Sequence, residues 1–165
     1  MSPVSGVPPL ERDGAFGPCG HSVLLVALSY GQEQMTGAKE TVMLESAQAF
    51  SSFSVDDVPA AKRFYGETLG LRVSEQDGML QLHTGGDGQA LVYPKPDHAP
   101  ASFTVLNFPV ENIDETVDAL TQRGVRFERY EKFDMDDKGI VHDGGMHIAW
   151  FKDPAGNILS VLQEG

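Results

Sequence analysis

The chain reads FTVLNFPVENIDETVDALTQRGVRF over residues 103–127, and AFSSFSVDDVPAAKRFYGETLGLRV over residues 49–73 follows the same pattern. Each stretch runs from a strand-like segment through a helical segment closed by glycine into a second strand-like segment. Val55 and Val110 are equivalent positions, so the period is about 55 residues. A repeat of this length that holds a helix and several strands predicts two packed modules rather than a long solenoid.

Both helical segments carry recognisable start signals. Asp57 can cap a helix predicted over Val58–Leu69, because its carboxylate can accept the free backbone N–H groups of the first turn. Asn112 can cap a second helix predicted over Ile113–Arg123, and Glu115 three residues later completes a capping box. The helix positions therefore agree in the two copies.

Short strands bounded by glycine turns follow each helix, so the order β-α-β-β-β occurs twice. The predicted fold is α+β, with two paired β-α-β-β-β modules. An acidic loop that is longer than its counterpart in the first copy lies between Glu131 and Gly145. The predicted strands after the helices are Leu71–Ser74, Met79–Thr84 and Ala90–Tyr93 in the first copy, and Val125–Tyr130, Met146–Phe151 and Ile158–Leu162 in the second.

Residues 1–42 differ in composition from the rest of the chain, since proline and glycine are dense up to Gly20 and no helical period follows. We expect residues 1–42 to be a poorly structured N-terminal extension. The folded domain is expected to span 43–165, with its two modules over about 46–96 and 101–163.

Charge and cysteine content exclude several classes of function. Twelve Lys and Arg against 24 Asp and Glu give a net charge of −12, which repels nucleic acid and anionic membrane surfaces. The longest apolar run, 23–28, is far shorter than the roughly 20 residues that span a bilayer. The only cysteine, Cys19, cannot form an internal disulfide, so we expect a reducing, cytoplasmic location.

Several motifs resemble those of the vicinal oxygen chelate superfamily, which includes glyoxalase I, extradiol dioxygenases, fosfomycin-resistance enzymes and bleomycin-binding proteins. The resemblance covers about residues 46–163. It implies a cup that usually encloses a divalent metal, held by residues from the first and last strands of each module, and it implies a homodimer. The motifs are Val55-Asp56-Asp57, Phe64-Tyr65, Leu69-Gly70-Leu71 and Trp150-Phe151-Lys152-Asp153-Pro154-Ala155-Gly156-Asn157.

The metal ligands that the resemblance implies are missing from this chain. The first strands carry Phe50 and Val105 at the ligand positions, and the last strand of the second module carries Ser160. No residue over 90–94 has a carboxylate or an imidazole. Phenyl and isopropyl groups have no lone pair to donate, whereas a catalytic zinc generally needs three protein ligands. We therefore expect no metal and no cofactor.

The same positions can instead line a mainly apolar small-molecule cavity. Strand side chains alternate between faces, so Ser52 would share a face with Phe50, and Asn107 with Val105. Tyr93 and Trp150 offer rigid aromatic surface for stacking a planar ligand. The function predicted is that of a small-molecule-binding protein similar to the antibiotic-sequestering relatives. The predicted ligand-binding residues are Phe50, Ser52, Tyr93, Val105, Asn107, Trp150 and Ser160.

Two other functions stay open at this point, and the sequence does not decide whether the protein is an enzyme. One is a metal-dependent lyase or dioxygenase of the same superfamily that recruits His83 and His147 as non-standard ligands. The other is an interaction domain whose cup is filled by its own core. The spacing of His142 and His147 fits neither one helical face nor one strand face, so we expect that pair to be solvated.

Overall fold

A computed structural model of the protein describes Ala47 and residues 49–165, which form two four-stranded mixed sheets. The prediction that residues 1–42 form an unstructured extension lies outside this range, as does Cys19. The first module holds β1 (Ser51–Val55), α1 (Val58–Arg63), a π-helical turn (Phe64–Thr68), β2 (Arg72–Gln76), β3 (Met79–His83) and β4 (Gln89–Pro94). The second holds β5 (Thr104–Pro109), α2 (Ile113–Gln122), β6 (Val141–Asp143), β7 (Met146–Lys152) and β8 (Ile158–Glu164).

Both sheets have the same strand order and the same directions. The orders are β1-β4-β3-β2 and β5-β8-β7-β6. In each sheet the first strand pairs in parallel with the last, and the other neighbours are antiparallel. This confirms the predicted α+β fold of two paired β-α-β-β-β modules.

The helix caps form as predicted. The Asp57 carboxylate accepts the N–H of Ala60 at 2.8 Å, and the Asn112 side-chain oxygen accepts the N–H of Glu115 at 3.1 Å. Each bond satisfies a backbone donor that the first helical turn leaves unpaired. Each helix therefore starts at the residue after its cap.

The prediction of one regular helix over Val58–Leu69 is wrong in its second half. The helix widens into the π-helical turn, where the N–H of Leu69 donates to the carbonyl of Phe64 at 2.9 Å. The wider turn accompanies two consecutive aromatic side chains, Phe64 and Tyr65, that both pack on the core. In a regular α-helical turn, adjacent side chains are separated by about 100° around the helix axis, so two consecutive side chains point in different directions.

The predicted strand Val125–Tyr130 is also wrong, because the edge of the second sheet is divided into two short pieces. Phe127 makes a single bridge to Phe151, and the N–H of Glu128 donates to the Trp150 carbonyl at 2.7 Å. The chain then leaves the sheet, and β6 takes up the other half of the same edge beside β7. The segment between the pieces, residues 129–140, is called the edge loop below.

One hydrophobic core draws on both modules. Fully buried Val55 and Tyr65 of the first module and Phe151 of the second belong to the same cluster, and the helices contribute Ala61 and Val117 to it. Because strand side chains alternate, every strand also has a face that points away from this core, called the distal face below. The residues predicted to bind a small molecule are expected on this distal face.

No helix in residues 49–165 is long and apolar enough to cross a membrane.

Candidate functional site

The distal face of the first sheet carries hydroxyl groups and one half-buried tyrosine. Phe53 and Val55 enter the core from β1, so Ser52 and Ser54 point away from it. Tyr93 lies opposite Ser54 in the parallel pairing of β1 with β4. Phe50, just before β1, is 45% exposed. The structure thus brings Tyr93 to the same face as Ser52, with Phe50 at the margin.

Three predicted residues meet on the distal face of the second sheet. The fully buried Ser160 hydroxyl donates to the side-chain oxygen of Asn107 at 2.6 Å. Trp150 pairs with Ser160 across β7 and β8, and its indole N–H donates to the Thr104 hydroxyl at 3.2 Å. This bond gives the half-buried indole N–H an acceptor and favours one orientation of the ring.

Val105 does not share this face, contrary to the alternation that we predicted. The pairing of β5 with β8 shifts register between Thr104 and Leu106, and Val105 packs against the hydrophobic core. Thr104 takes the distal position instead, as its bond to Trp150 demonstrates. A single-residue bulge leaves no mark in the alternation of apolar residues, so Thr104 could not be predicted from the pattern.

An aromatic cluster covers Trp150, and two of its members were missed by sequence reasoning. The ring of Phe133 stacks on Trp150 with centroids 5.3 Å apart and an interplanar angle of 12°. Tyr130 meets Trp150 edge-on at 5.7 Å and Phe133 edge-on at 6.3 Å. The Lys132 ammonium lies 4.9 Å from the Phe133 centroid. Tyr130, Lys132 and Phe133 come from the edge loop, whose length was the only sequence signal.

The donor set at the inherited metal positions does not fit a divalent ion. Phe50 and Val105 offer only carbon atoms, and the Ser160 hydroxyl is engaged with Asn107. Tyr93 is the only other residue there with a side-chain oxygen. Across residues 49–165, no group of three or more His, Cys, Asp and Glu side chains is arranged to hold a metal. Zinc, magnesium and manganese all need more nitrogen or oxygen ligands than this.

The recruited metal site that we considered as an alternative gains no support. His83 lies on the distal face of the first sheet, with its Nε2 3.0 Å from the Ser74 hydroxyl. His147 is in the second sheet, on the face that Ala149 and Phe151 bury in the core. The two histidines therefore belong to different sheets and contact different partners.

The turn that carries much of the family resemblance joins the two modules. The Tyr65 hydroxyl donates to the buried Asp153 carboxylate at 2.8 Å, and the Asn157 amide donates to the Ser54 carbonyl at 3.0 Å. Burial raises the pKa of Tyr65, and the negative charge of Asp153 raises it further. Gly156 has φ +85°, and a Cβ there would lie 3.2 Å from Pro100. The motif thus ties the second module to β1, beside the distal face.

Known proteins resemble this chain in sequence pattern and in fold. The family model described as Glyoxalase/Bleomycin resistance protein/Dioxygenase superfamily matches residues 47–161. Comparison with curated proteins finds no matching relative.

Three solved structures illustrate the likeness. TnmS3, an antibiotic binding protein from Streptomyces sp. CB03234, is 26% identical with a TM-score of 0.55, and the match covers 73% of this chain and 98% of TnmS3. A glyoxalase family protein from Enterococcus faecalis is 22% identical with a TM-score of 0.55, over 73% of this chain and 99% of that one. A glyoxalase/dioxygenase from Nostoc punctiforme is 13% identical with a TM-score of 0.56, over 79% and 99%.

Proposed function

Because the chain belongs to the Glyoxalase/Bleomycin resistance protein/Dioxygenase superfamily, we propose that it binds a small planar organic molecule on the distal face of the second sheet. The observation that carries the proposal is the parallel stack of Phe133 on Trp150. Binding, rather than metal-dependent turnover, is the activity that suits residues without metal-ligating side chains at the inherited positions.

The stack supports a flat ligand in particular. The Phe133 ring demonstrates that the free side of the indole accepts another ring at ordinary stacking distance. Phe133 is 39% exposed and belongs to the edge loop, and the Lys132 ammonium lies over its ring, so the proposed ligand ring takes the place of Phe133 on the indole. The indole itself stays in place, because Thr104 holds its N–H. The site therefore combines one fixed aromatic surface with one that can be displaced.

Polar groups beside the stack can orient the ligand. The Asn107 amide nitrogen can donate to a carbonyl or hydroxyl, since its oxygen is engaged with Ser160. Small-molecule sites usually combine apolar enclosure with a few such fixed polar groups. The net charge of −12 favours neutral or cationic ligands over anionic ones.

The comparison with TnmS3 adds independent support for binding. That protein is an antibiotic binding protein, and this chain covers nearly all of it at 26% identity. We propose the same general role, sequestration of a toxic small molecule in the cytoplasm. We also propose that a second copy of the chain encloses the ligand from the other side, since the distal face alone is a surface rather than a closed cavity.

Trp150 makes the proposal directly testable, because it is the only tryptophan in the chain. Metal-free bleomycin, 9-aminoacridine and an uncharged anthraquinone would each be titrated into the protein while the indole fluorescence is recorded. We expect saturable quenching by at least one of them. Calorimetry of the same ligand should show a loss of about tenfold or more in affinity for Trp150→Ala, because stacking and apolar burial are both removed.

The matched control is Gln122→Ala, which truncates an exposed side chain at the end of α2, the helix that packs on the core side of the second sheet, away from the distal face. It should leave the affinity unchanged. Native mass spectrometry of the same samples reports the number of subunits and of bound ligands together. Absence of saturable binding for all three compounds, or equal binding by Trp150→Ala, would contradict the proposed function.

A further inference from the structure

Two histidines face each other across the hairpin of β6 and β7. His142 and His147 are directly paired in the antiparallel register, and their Nδ1 atoms are 2.8 Å apart. Gly144 and Gly145 form the two-residue turn between them, both with positive φ. The five-residue spacing, which fits neither a single helix nor a single strand, is thus the spacing of a cross-strand pair.

A carboxylate orients the first of these rings. The Asp136 Oδ2 lies 3.1 Å from the Nε2 of His142, which must donate this bond because the carboxylate can only accept. The other oxygen of Asp136 accepts the N–H groups of Lys138 and Ile140 at 2.9 and 2.8 Å, so the carboxylate is itself fixed. A neutral His142 with its proton on Nε2 presents a bare Nδ1 to His147.

The contact between Asp136 and His142 has the form found at metal-binding histidines. A ligating imidazole nearly always donates its other N–H to a carboxylate or carbonyl, which sets the tautomer and strengthens the donor nitrogen. At a tetrahedral angle, two nitrogens bound to one ion at roughly 2.0–2.1 Å lie about 3.3 Å apart, which is about 0.5 Å more than the present separation of the two Nδ1 atoms. The two rings therefore have to move apart by about this distance to admit an ion in place of the proton that they share.

The surroundings favour a cation. Both histidines line a groove of about 240 Å³ at the start of α2. The other side of this groove includes Glu111 and Asp114. These carboxylates offset the partial positive charge at the helix N-terminus. Two cations lie nearby and both are engaged: Lys138 is paired with Asp114 at 3.1 Å and with Asp118 at 2.8 Å. The Arg129 guanidinium donates to the backbone carbonyls of Asp136 and Asp137 at 2.8 and 3.0 Å.

We propose that the Nδ1 atoms of His142 and His147 form a two-nitrogen binding site for a late first-row divalent cation such as Zn²⁺, with Asp136 as the positioning residue. Imidazole nitrogen suits zinc, copper and nickel, whereas magnesium and calcium prefer oxygen ligands. Water molecules complete the coordination sphere. The site lies on the core side of the second sheet, apart from the proposed ligand site, and does not depend on that function.

The test is calorimetric titration of the full chain with Zn²⁺, and with Mg²⁺ as the ion that should not bind. We expect one Zn²⁺ per chain. His142→Ala and His147→Ala should each abolish this binding, and Asp136→Asn should weaken it by about 10- to 100-fold while both ligands remain. The Cu²⁺ complex should show hyperfine coupling to two imidazole nitrogens by electron paramagnetic resonance, and to one or none in each alanine variant.

Two control variants locate the site among the five histidines of the chain. His83→Ala and the double variant Cys19→Ser/His21→Ala should bind Zn²⁺ as tightly as the parent protein does. The thermal unfolding midpoint of every variant without metal establishes that it is folded. Zn²⁺ binding that survives in His142→Ala or His147→Ala, or binding weaker than about 1 mM in the parent protein, overturns the proposal.

Discussion

Tyr65 connects the two modules through a hydrogen bond of its side chain. Its ring is fully buried, and its hydroxyl donates to Asp153 of the other module. Burial and the nearby carboxylate both raise its pKa, so the folded protein holds the phenolic proton where an unfolded chain releases it. The residue therefore links folding stability to alkaline pH.

We predict that stability falls with rising pH in a way that Tyr65→Phe removes. Above about pH 10 the unfolded state loses the Tyr65 proton and the folded state keeps it, so the free energy of unfolding declines by about 1.4 kcal/mol per pH unit. Urea unfolding of both proteins between about pH 9 and pH 11 measures the difference in slope. The other tyrosines are common to both proteins and cancel in this comparison.

At neutral pH the same variant should be less stable by about 1–3 kcal/mol, because the buried Asp153 carboxylate loses a donor. Parallel stability curves at alkaline pH would contradict the assignment of a strongly raised tyrosine pKa.

At the residue scale, sequence reasoning predicted that Asn107 and Ser160 share a face, and missed the side chains of the edge loop that cover Trp150. Alternation along the strands placed Asn107 and Ser160 on a common face, and their hydrogen bond agrees with that placement. Val105 departed from alternation because a bulge moved it. Phe133 reaches Trp150 through the folding of the edge loop, which depends on contacts that no local pattern encodes.

The hairpin of β6 and β7 turns at two glycines, Gly144 and Gly145, that both have positive φ. Gly145 has φ +92°, and a Cβ added there would meet nothing within 4 Å. Any cost of a side chain at this position is therefore conformational rather than a clash.

We predict that Gly145→Ala lowers the free energy of unfolding by about 1–2 kcal/mol, which is the cost of a left-handed conformation for an L-residue. Gly85→Ala is the matched control, because Gly85 also has open space around its Cβ but has no positive φ. Thermal or urea unfolding compares the two. Equal stability of both variants would indicate that the turn does not constrain the hairpin.

At the element scale, the starts of the helices were easier to predict than the end of the first helix or the edge of a sheet. The caps at Asp57 and Asn112 follow from a side chain and a backbone group a few residues apart. The divided edge of the second sheet follows from how the edge loop folds back, with the Arg129 guanidinium donating to the carbonyls of Asp136 and Asp137. Periodicity in a short window carries no information on such a contact.

The described domain should unfold as one unit, because its core and its polar contacts both cross between the modules. Asn157 is central to this coupling, since its buried amide donates to the Ser54 carbonyl of β1 and to Asp153. Two halves with separate cores would instead unfold independently.

We predict that Asn157→Ala lowers the free energy of unfolding by about 2–3 kcal/mol, since buried polar groups in both modules lose their donor. In the parent protein, Trp150 fluorescence, which reports on the second module, and circular dichroism should give coincident urea transitions. Gln76→Ala, at an exposed amide in β2, should change little. Separate transitions in the parent protein would mean that the modules fold independently.

At the scale of the whole molecule, the doubled pattern was sufficient to predict the architecture. Two copies of the same order of elements require two copies of the same sheet, and the strand orders agree. The joint between them was not predictable in the same way, because Tyr65 and Asp153 are 88 residues apart and neither copy contains the whole contact.

The edge loop is fastened to β7 at both ends, by Phe127 and Glu128 on one side and by β6 on the other. The end of the loop is anchored, because Ile140 is fully buried in the core, whereas residues 131–134 are exposed. Exchanging only this exposed stretch between homologous proteins would therefore replace the ring that covers the indole of the proposed ligand site, while the sheet beneath keeps its register and its core.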